Sequence, residues 1–102
     1  MKKKTAEGML IKSVRDLLNA CHIFHWKNFG GPLGVVGVPD ILGIYKGRMI
    51  GLELKAPKGV VSPAQQHFID KINEEGGIAF VVRTLDDVIV GLGLQDRFLD
   101  LK

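Results

Sequence analysis

The 102-residue sequence is short of cysteine, proline and tryptophan, with one, four and one respectively. A lone Cys21 can neither close an internal disulfide nor anchor a thiolate zinc site, so any metal here must be held through oxygen or imidazole. No apolar run approaches the roughly 18 residues that cross a bilayer, and Met1-Lys2-Lys3-Lys4 leads into no uninterrupted apolar stretch of the kind an export signal carries. A cytoplasmic chain without a membrane segment is expected. Gly30, Gly31, Pro32, Gly34 and Gly37 make a glycine-rich stretch, yet it lacks a Gly-Lys-Ser/Thr ending, which excludes a phosphate-cradling nucleotide loop and a nucleotide cofactor. The seven aromatics show no pattern that would place stacking rings on one sheet face, against an RNA-binding platform. What is present is core-forming: 46% of residues are apolar and mean hydropathy is +0.16, which excludes a disordered tail, and the length suits one domain over 1–102.

The net charge of +3 conceals an asymmetry. Residues 1–60 hold 10 Lys/Arg against 4 Asp/Glu, whereas 61–102 hold 4 against 7. A polyanion partner would meet the first half, and Lys2, Lys3, Lys4, Lys46, Arg48 and Lys58 are candidate phosphate contacts there.

Hydrophobic periodicity at Leu10, Val14, Leu17 and Cys21, widened by Ile11 and Leu18, predicts a helix over 5–20. Residues 22–26 are aromatic and β-compatible, and 28–37 form a glycine-rich loop. Two β-rich runs, 41–45 and 48–55, flank Lys46-Gly47, which predicts a two-residue hairpin. Ser62-Pro63-Ala64-Gln65 combines an N-cap, proline at the first helical position and a capping-box glutamine, opening a helix that Gly76-Gly77 stops. Ile78 to Val82 is all apolar and expected inside a sheet; Thr84 caps a last helix through Leu85, Val88, Ile89 and Leu92. The order α-β-β-β-α-β-α describes an α/β fold with a mixed sheet.

A two-residue turn at 46–47 pairs residues whose numbers sum to 93, so Asp40 faces Glu53 on one side of the hairpin. Opposed residues have Cβ atoms about 5 Å apart, and two like charges there are destabilising unless a cation sits between them. Lys55 follows on the same face by the period of two, while Leu52 and Leu54 turn into the core. Two carboxylates able to hold Mg²⁺ or Mn²⁺, with an adjacent ammonium, suit phosphodiester hydrolysis. The lysine can orient or deprotonate water, or stabilise the transition state. Glu7 and Gln65 interrupt the apolar stripes of their helices, so each needs a partner. A site where both helices cross the hairpin would supply one; helix capping for Gln65 and a helix-dipole contact for Glu7 are the alternatives. Trp26 and Phe29 are expected to pack, with base stacking the alternative. Cys21, His22 and His25 do not share a face and are not expected to bind metal.

Gly37-Val38-Pro39-Asp40, Glu53-Leu54-Lys55-Ala56-Pro57, and Ser62-Pro63-Ala64-Gln65 with Phe68 together resemble the PD-(D/E)XK nucleases, and among them the virus-type replication-repair nuclease (VRR-NUC) family. The resemblance runs from Glu7 to Arg83. It implies a restriction-endonuclease-like core in which Asp40, Glu53 and the Leu54 backbone carbonyl bind Mg²⁺ or Mn²⁺, Lys55 is catalytic, and Glu7 and Gln65 contact the metal's water shell or support the lysine. Small stand-alone members resemble Holliday-junction resolvases of phage or bacterial origin, which implies a homodimer cutting branched DNA. Symmetric incision needs two sites, and this chain offers one. A non-catalytic DNA-binding module using the same basic face is the alternative reading.

Overall fold

The computed structural model describes residues 6–30 and 34–99. The elements run α1 (Ala6–Ala20), β1 (Phe24–Lys27), β2 (Ile41–Tyr45), β3 (Arg48–Leu54), α2 (Pro63–Glu74), β4 (Ile78–Val82), α3 (Leu85–Gly91) and α4 (Gln95–Leu99). The expected α/β class and order form, with one addition. Gly93 adopts φ 68 just past α3, so the chain ends in a separate short helix rather than an extension of α3.

The four strands lie in the order β1-β2-β3-β4, with β1–β2 and β2–β3 antiparallel and β3–β4 parallel. A parallel neighbour needs a crossover, and α2 provides it. Ser62 and Gln65 form the expected capping box at its start. The α1 stripe buries Val14, Leu17 and Leu18, which cluster with Ile41, Ile50, Leu52, Leu54, Val82 and Val88 on one side of the sheet. On the other side, Ile69 and Ile72 of α2 pack on Ala79, with Phe68 and Val81 alongside. Gly51 admits this second layer: a Cβ there would stand 2.8 Å from Ile72 Cδ1 and 3.1 Å from Pro39 Cγ. Helices on both faces of β3 leave it buried from Ile50 to Leu54, and truncating a fully buried leucine such as Leu52 to alanine costs roughly 2–5 kcal/mol.

β4 was expected inside the sheet because it is all apolar, but it lies at an edge. Its composition reflects helices on both of its faces. Two outward backbone positions on this edge, Ala79 and Arg83, are occupied instead by side chains. Asn73 donates from Nδ2 to the Ala79 carbonyl at 2.9 Å and accepts the Ala79 N–H at 2.8 Å, and the Arg83 N–H donates to Asp87 at 2.8 Å. Asp87 also accepts from Thr84 N at the α3 cap; the hydrogen bond from Arg83 is the largest cause holding its carboxyl below the usual range.

The opposite edge differs. Among the described residues, no side chain occupies the outer backbone groups of β1. The registers Phe24↔Ile44↔Met49 and Trp26↔Leu42↔Gly51 place these residues on the α2 face, because cross-strand partners project to the same side. α2 packs mainly on β3 and β4. Phe24 is therefore 68%, Trp26 41%, Ile44 51% and Met49 42% exposed, with the Phe24 and Trp26 rings 5.7 Å apart. Trp26 and Phe29 thus depart from the packing expected of them, and two aromatics do share a sheet face. Among the described residues no helix is long and apolar enough to cross a membrane.

Candidate active site

Lys46 (φ 53) and Gly47 (φ 77) both adopt left-handed backbone, the conformation of a type I′ two-residue hairpin turn. The register follows as expected, from Tyr45↔Arg48 to Ile41↔Leu52, and one step further sets Asp40 opposite Glu53. Asp40 is held twice. Its backbone carbonyl accepts the Asn28 N–H at 2.8 Å, extending the β1–β2 ladder, and its Oδ2 accepts the Leu54 N–H at 2.8 Å. In extended backbone the N–H and C=O of one residue point to the same edge, so the Leu54 carbonyl faces the Asp40 side as well.

Glu53 is only 2% exposed. Burial, more than any other cause, pushes its carboxyl from 4.5 up to about 8; the hydrogen bond and charge of Asp40 add to the rise, and the Lys55 ammonium opposes it. The protein thus places two carboxyls together where ionisation of both is disfavoured unless a cation joins them. Oxygen donors of this kind fit Mg²⁺ or Mn²⁺. Among the described residues no group of three or more His, Cys, Asp or Glu gathers; the oxygen groups that meet here are the two carboxyls and main-chain oxygen.

Lys55 lies immediately past β3, its N–H still bonded to the Val82 carbonyl at 2.9 Å. The peptide after it is clamped from two sides. Glu7 Oε1 accepts the Ala56 N–H at 3.3 Å, and Arg83 Nη1 donates to the carbonyls of Ala56 at 2.8 Å and Pro57 at 3.3 Å. Glu7 therefore engages the backbone beside Lys55. α1 and α2 lie on opposite faces of the sheet. Gln65 accepts the Ser62 N–H at 2.8 Å through its side chain, while its own N–H donates to Ser62 Oγ at 3.1 Å; of its two readings, capping is the one its contacts display. The start of α2 is nevertheless tied to the site. Gly37, at φ 88, approaches it so closely that a Cβ would collide with the Ala64 carbonyl, fixing the loop that delivers Asp40.

The candidate phosphate contacts do not converge. Lys58 is exposed in the turn just after Lys55. Lys46 and Arg48 sit at the hairpin tip, Arg48 being five residues or about 16 Å of strand from Glu53. There Arg48 donates to the Gly76 carbonyl at 2.9 Å and the Lys46 ammonium lies 5.3 Å from the Tyr45 ring centroid. Lys4, with Lys2 and Lys3, lies outside the described residues. His25 is occupied locally, its Nδ1 2.8 Å from the Ile23 carbonyl. Arg83 escaped the sequence reading as a participant; a lone arginine closing an all-apolar strand was the available signal.

No family model and no curated protein matches the chain. Among solved structures, the chain is similar to a VRR_NUC domain protein at 22% sequence identity and a TM-score of 0.62, over 89% of this chain and 88% of that one. This likeness establishes the fold, an α/β arrangement with a mixed sheet flanked by helices.

Proposed function

We propose that the protein is a metal-dependent endonuclease hydrolysing DNA phosphodiesters. The observation that carries this reading is the opposition of Asp40 and buried Glu53 across the hairpin, with Lys55 two residues beyond. Asp40, Glu53 and the Leu54 carbonyl would hold Mg²⁺ or Mn²⁺. Such an ion, when bound, neutralises charge developing on the phosphate and acidifies water. The chain's own residues do the remainder. Asp40 is fixed by Leu54, Glu53 is shielded from solvent beneath the site, and Lys55 offers a positive charge beside the reacting phosphate. Glu7 and Arg83 fix the peptide that follows Lys55, so the ammonium's range of positions is narrowed. The fold likeness to a VRR_NUC domain protein supports the same chemistry.

We further propose a homodimer acting on branched DNA, with the uncovered face of β1 and β2 as its contact surface. Phe24, Trp26, Ile44 and Met49 expose roughly 400 Å² there, at the scale of functional patches on monomers. A two-fold axis through this face buries the patch of both copies, roughly 800 Å², and flanking residues must supply the rest of the roughly 1,200–2,000 Å² of a standard interface. The test is a cleavage assay with Mg²⁺ or Mn²⁺ on linear duplex, flap, splayed and four-way DNA. Asp40→Ala and Lys55→Ala are expected to bind DNA but not cut it; absence of cutting by the wild type on every substrate replaces the nuclease with a DNA-binding module.

A further inference from the structure

Where the opening turns of α1 cross the chain beyond Lys55, a cavity of about 290 Å³ forms, lined by Met9, Leu10, Ser13, Lys55, Pro57 and Arg83 among others. It is at the small end of ligand sites, sized for one nucleotide unit and not a base pair. Its lining divides by chemistry: two cations and a hydroxyl, against an apolar wall. Lys55 connects it to the carboxylates, since this residue is part of the cavity lining and its charge is felt by Glu53. Arg83 is pre-organised, because the Ala56 and Pro57 carbonyls hold Nη1 while Nε and Nη2 have no partner among the described contacts. A planar donor fixed in this manner loses little freedom on binding an oxyanion. Glu7, the nearby acid on α1, is engaged by the Ala56 N–H and does not line the cavity.

We propose that this cavity binds one nucleotide of the substrate strand, with Arg83 and Ser13 on the phosphate next along from the one at Asp40 and Glu53, and Met9, Leu10 and Pro57 against its sugar. The inference rests on the nuclease reading for the position of that phosphate along the strand; binding of a phosphorylated nucleotide does not require turnover. A strand passing Lys55 then contacts the protein at two successive phosphates, one for chemistry and one for register.

The probe is thymidine 3′,5′-bisphosphate titrated into the metal-free protein and followed by amide NMR. Shifts are expected at Ser13, Ala56 and Arg83. Arg83→Leu should weaken binding at least about tenfold through loss of a charge-assisted contact. Because that change also releases the Ala56 and Pro57 carbonyls, Ser13→Glu is the companion: it puts an acid into the cavity from an exposed helical position and should weaken binding by a similar factor. Wild-type affinity in Ser13→Glu, or shifts confined to the hairpin tip at Lys46 and Arg48, overturns the proposal. If bisphosphate binds but no DNA is cut with Mg²⁺ or Mn²⁺, the nuclease reading falls and the phosphate site stands; if DNA is cut but bisphosphate does not bind, the cavity proposal alone falls.

Discussion

The Asp40 carboxylate accepts the backbone N–H of Leu54 at 2.8 Å, which ties the aspartate to the strand that carries its opposed partner, Glu53. Asp40 cannot swing away to relieve repulsion without abandoning a charge-assisted hydrogen bond, so the strain between the two carboxyls falls on the protonation of Glu53.

Stability of the metal-free protein should therefore depend on pH through Glu53. Its carboxyl is raised from 4.5 to about 8 by burial and by Asp40. An acid with a raised folded pKa contributes stability that is complete below the unfolded value and is lost as pH climbs through the folded one. Tm measured without metal should fall between about pH 4.5 and 8, and Mg²⁺ or Mn²⁺ should raise Tm more at pH 8 than at pH 5.5. A flat profile across that range contradicts the assignment.

Glu53→Gln keeps the shape of the side chain and removes the titration. In urea melts at pH 8 without metal, this variant should be more stable than wild type by roughly 1–4 kcal/mol, and its Tm should no longer respond to Mn²⁺. Equal metal response in variant and wild type would remove Glu53 from the ligand set.

Gln65 gives a contrasting expectation, because its contacts with Ser62 are those of a cap. Gln65→Ala should cost about 0.5–2 kcal/mol of stability, and the Mn²⁺-induced rise in Tm should persist. A variant of unchanged stability that loses its metal response would return Gln65 to the site.

Gly37→Ala tests how the loop delivers Asp40. At φ 88 an L side chain is strained, and its Cβ would collide with the Ala64 carbonyl. Destabilisation of roughly 1–3 kcal/mol is expected in urea melts, together with a weaker Tm response to Mn²⁺. A neutral substitution would mean that the loop and α2 are not coupled.

Ile44 lies in the middle of the uncovered sheet face. Ile44→Glu sets a charge between Phe24 and Met49, and light scattering should show conversion from a pair to a single copy with little change in far-UV circular dichroism. A wild type that is monomeric at high concentration rules out the pairing.

The hairpin was legible because a two-residue turn converts residue numbers into a register, and a register assigns faces. Asp40, Glu53 and the inward turn of Leu52 and Leu54 all followed from Lys46-Gly47. The cap at Ser62 followed likewise, since its partners are three residues apart. Relations across elements were not accessible. Nothing local in Glu7 says that it accepts a hydrogen bond from Ala56, 49 residues away, or in Arg83 that it reaches back to the same peptide. β4 was misplaced because an apolar strand covered on two faces reads the same at an edge as at the centre. Trp26 departs from the packing expected of it because its exposure depends on how far α2 extends across the sheet, which the spacing of Trp26 does not encode.

The occupied outer edge of β4 has a consequence for assembly. Asn73 and Asp87 hold alternate backbone positions there, at Ala79 and Arg83, so an incoming strand finds no continuous ladder on that side. Among the described residues, strand addition is therefore open at β1 and obstructed at β4. A sheet open at one edge can gain one partner strand but cannot be extended from both ends, which removes the route to a growing fibre.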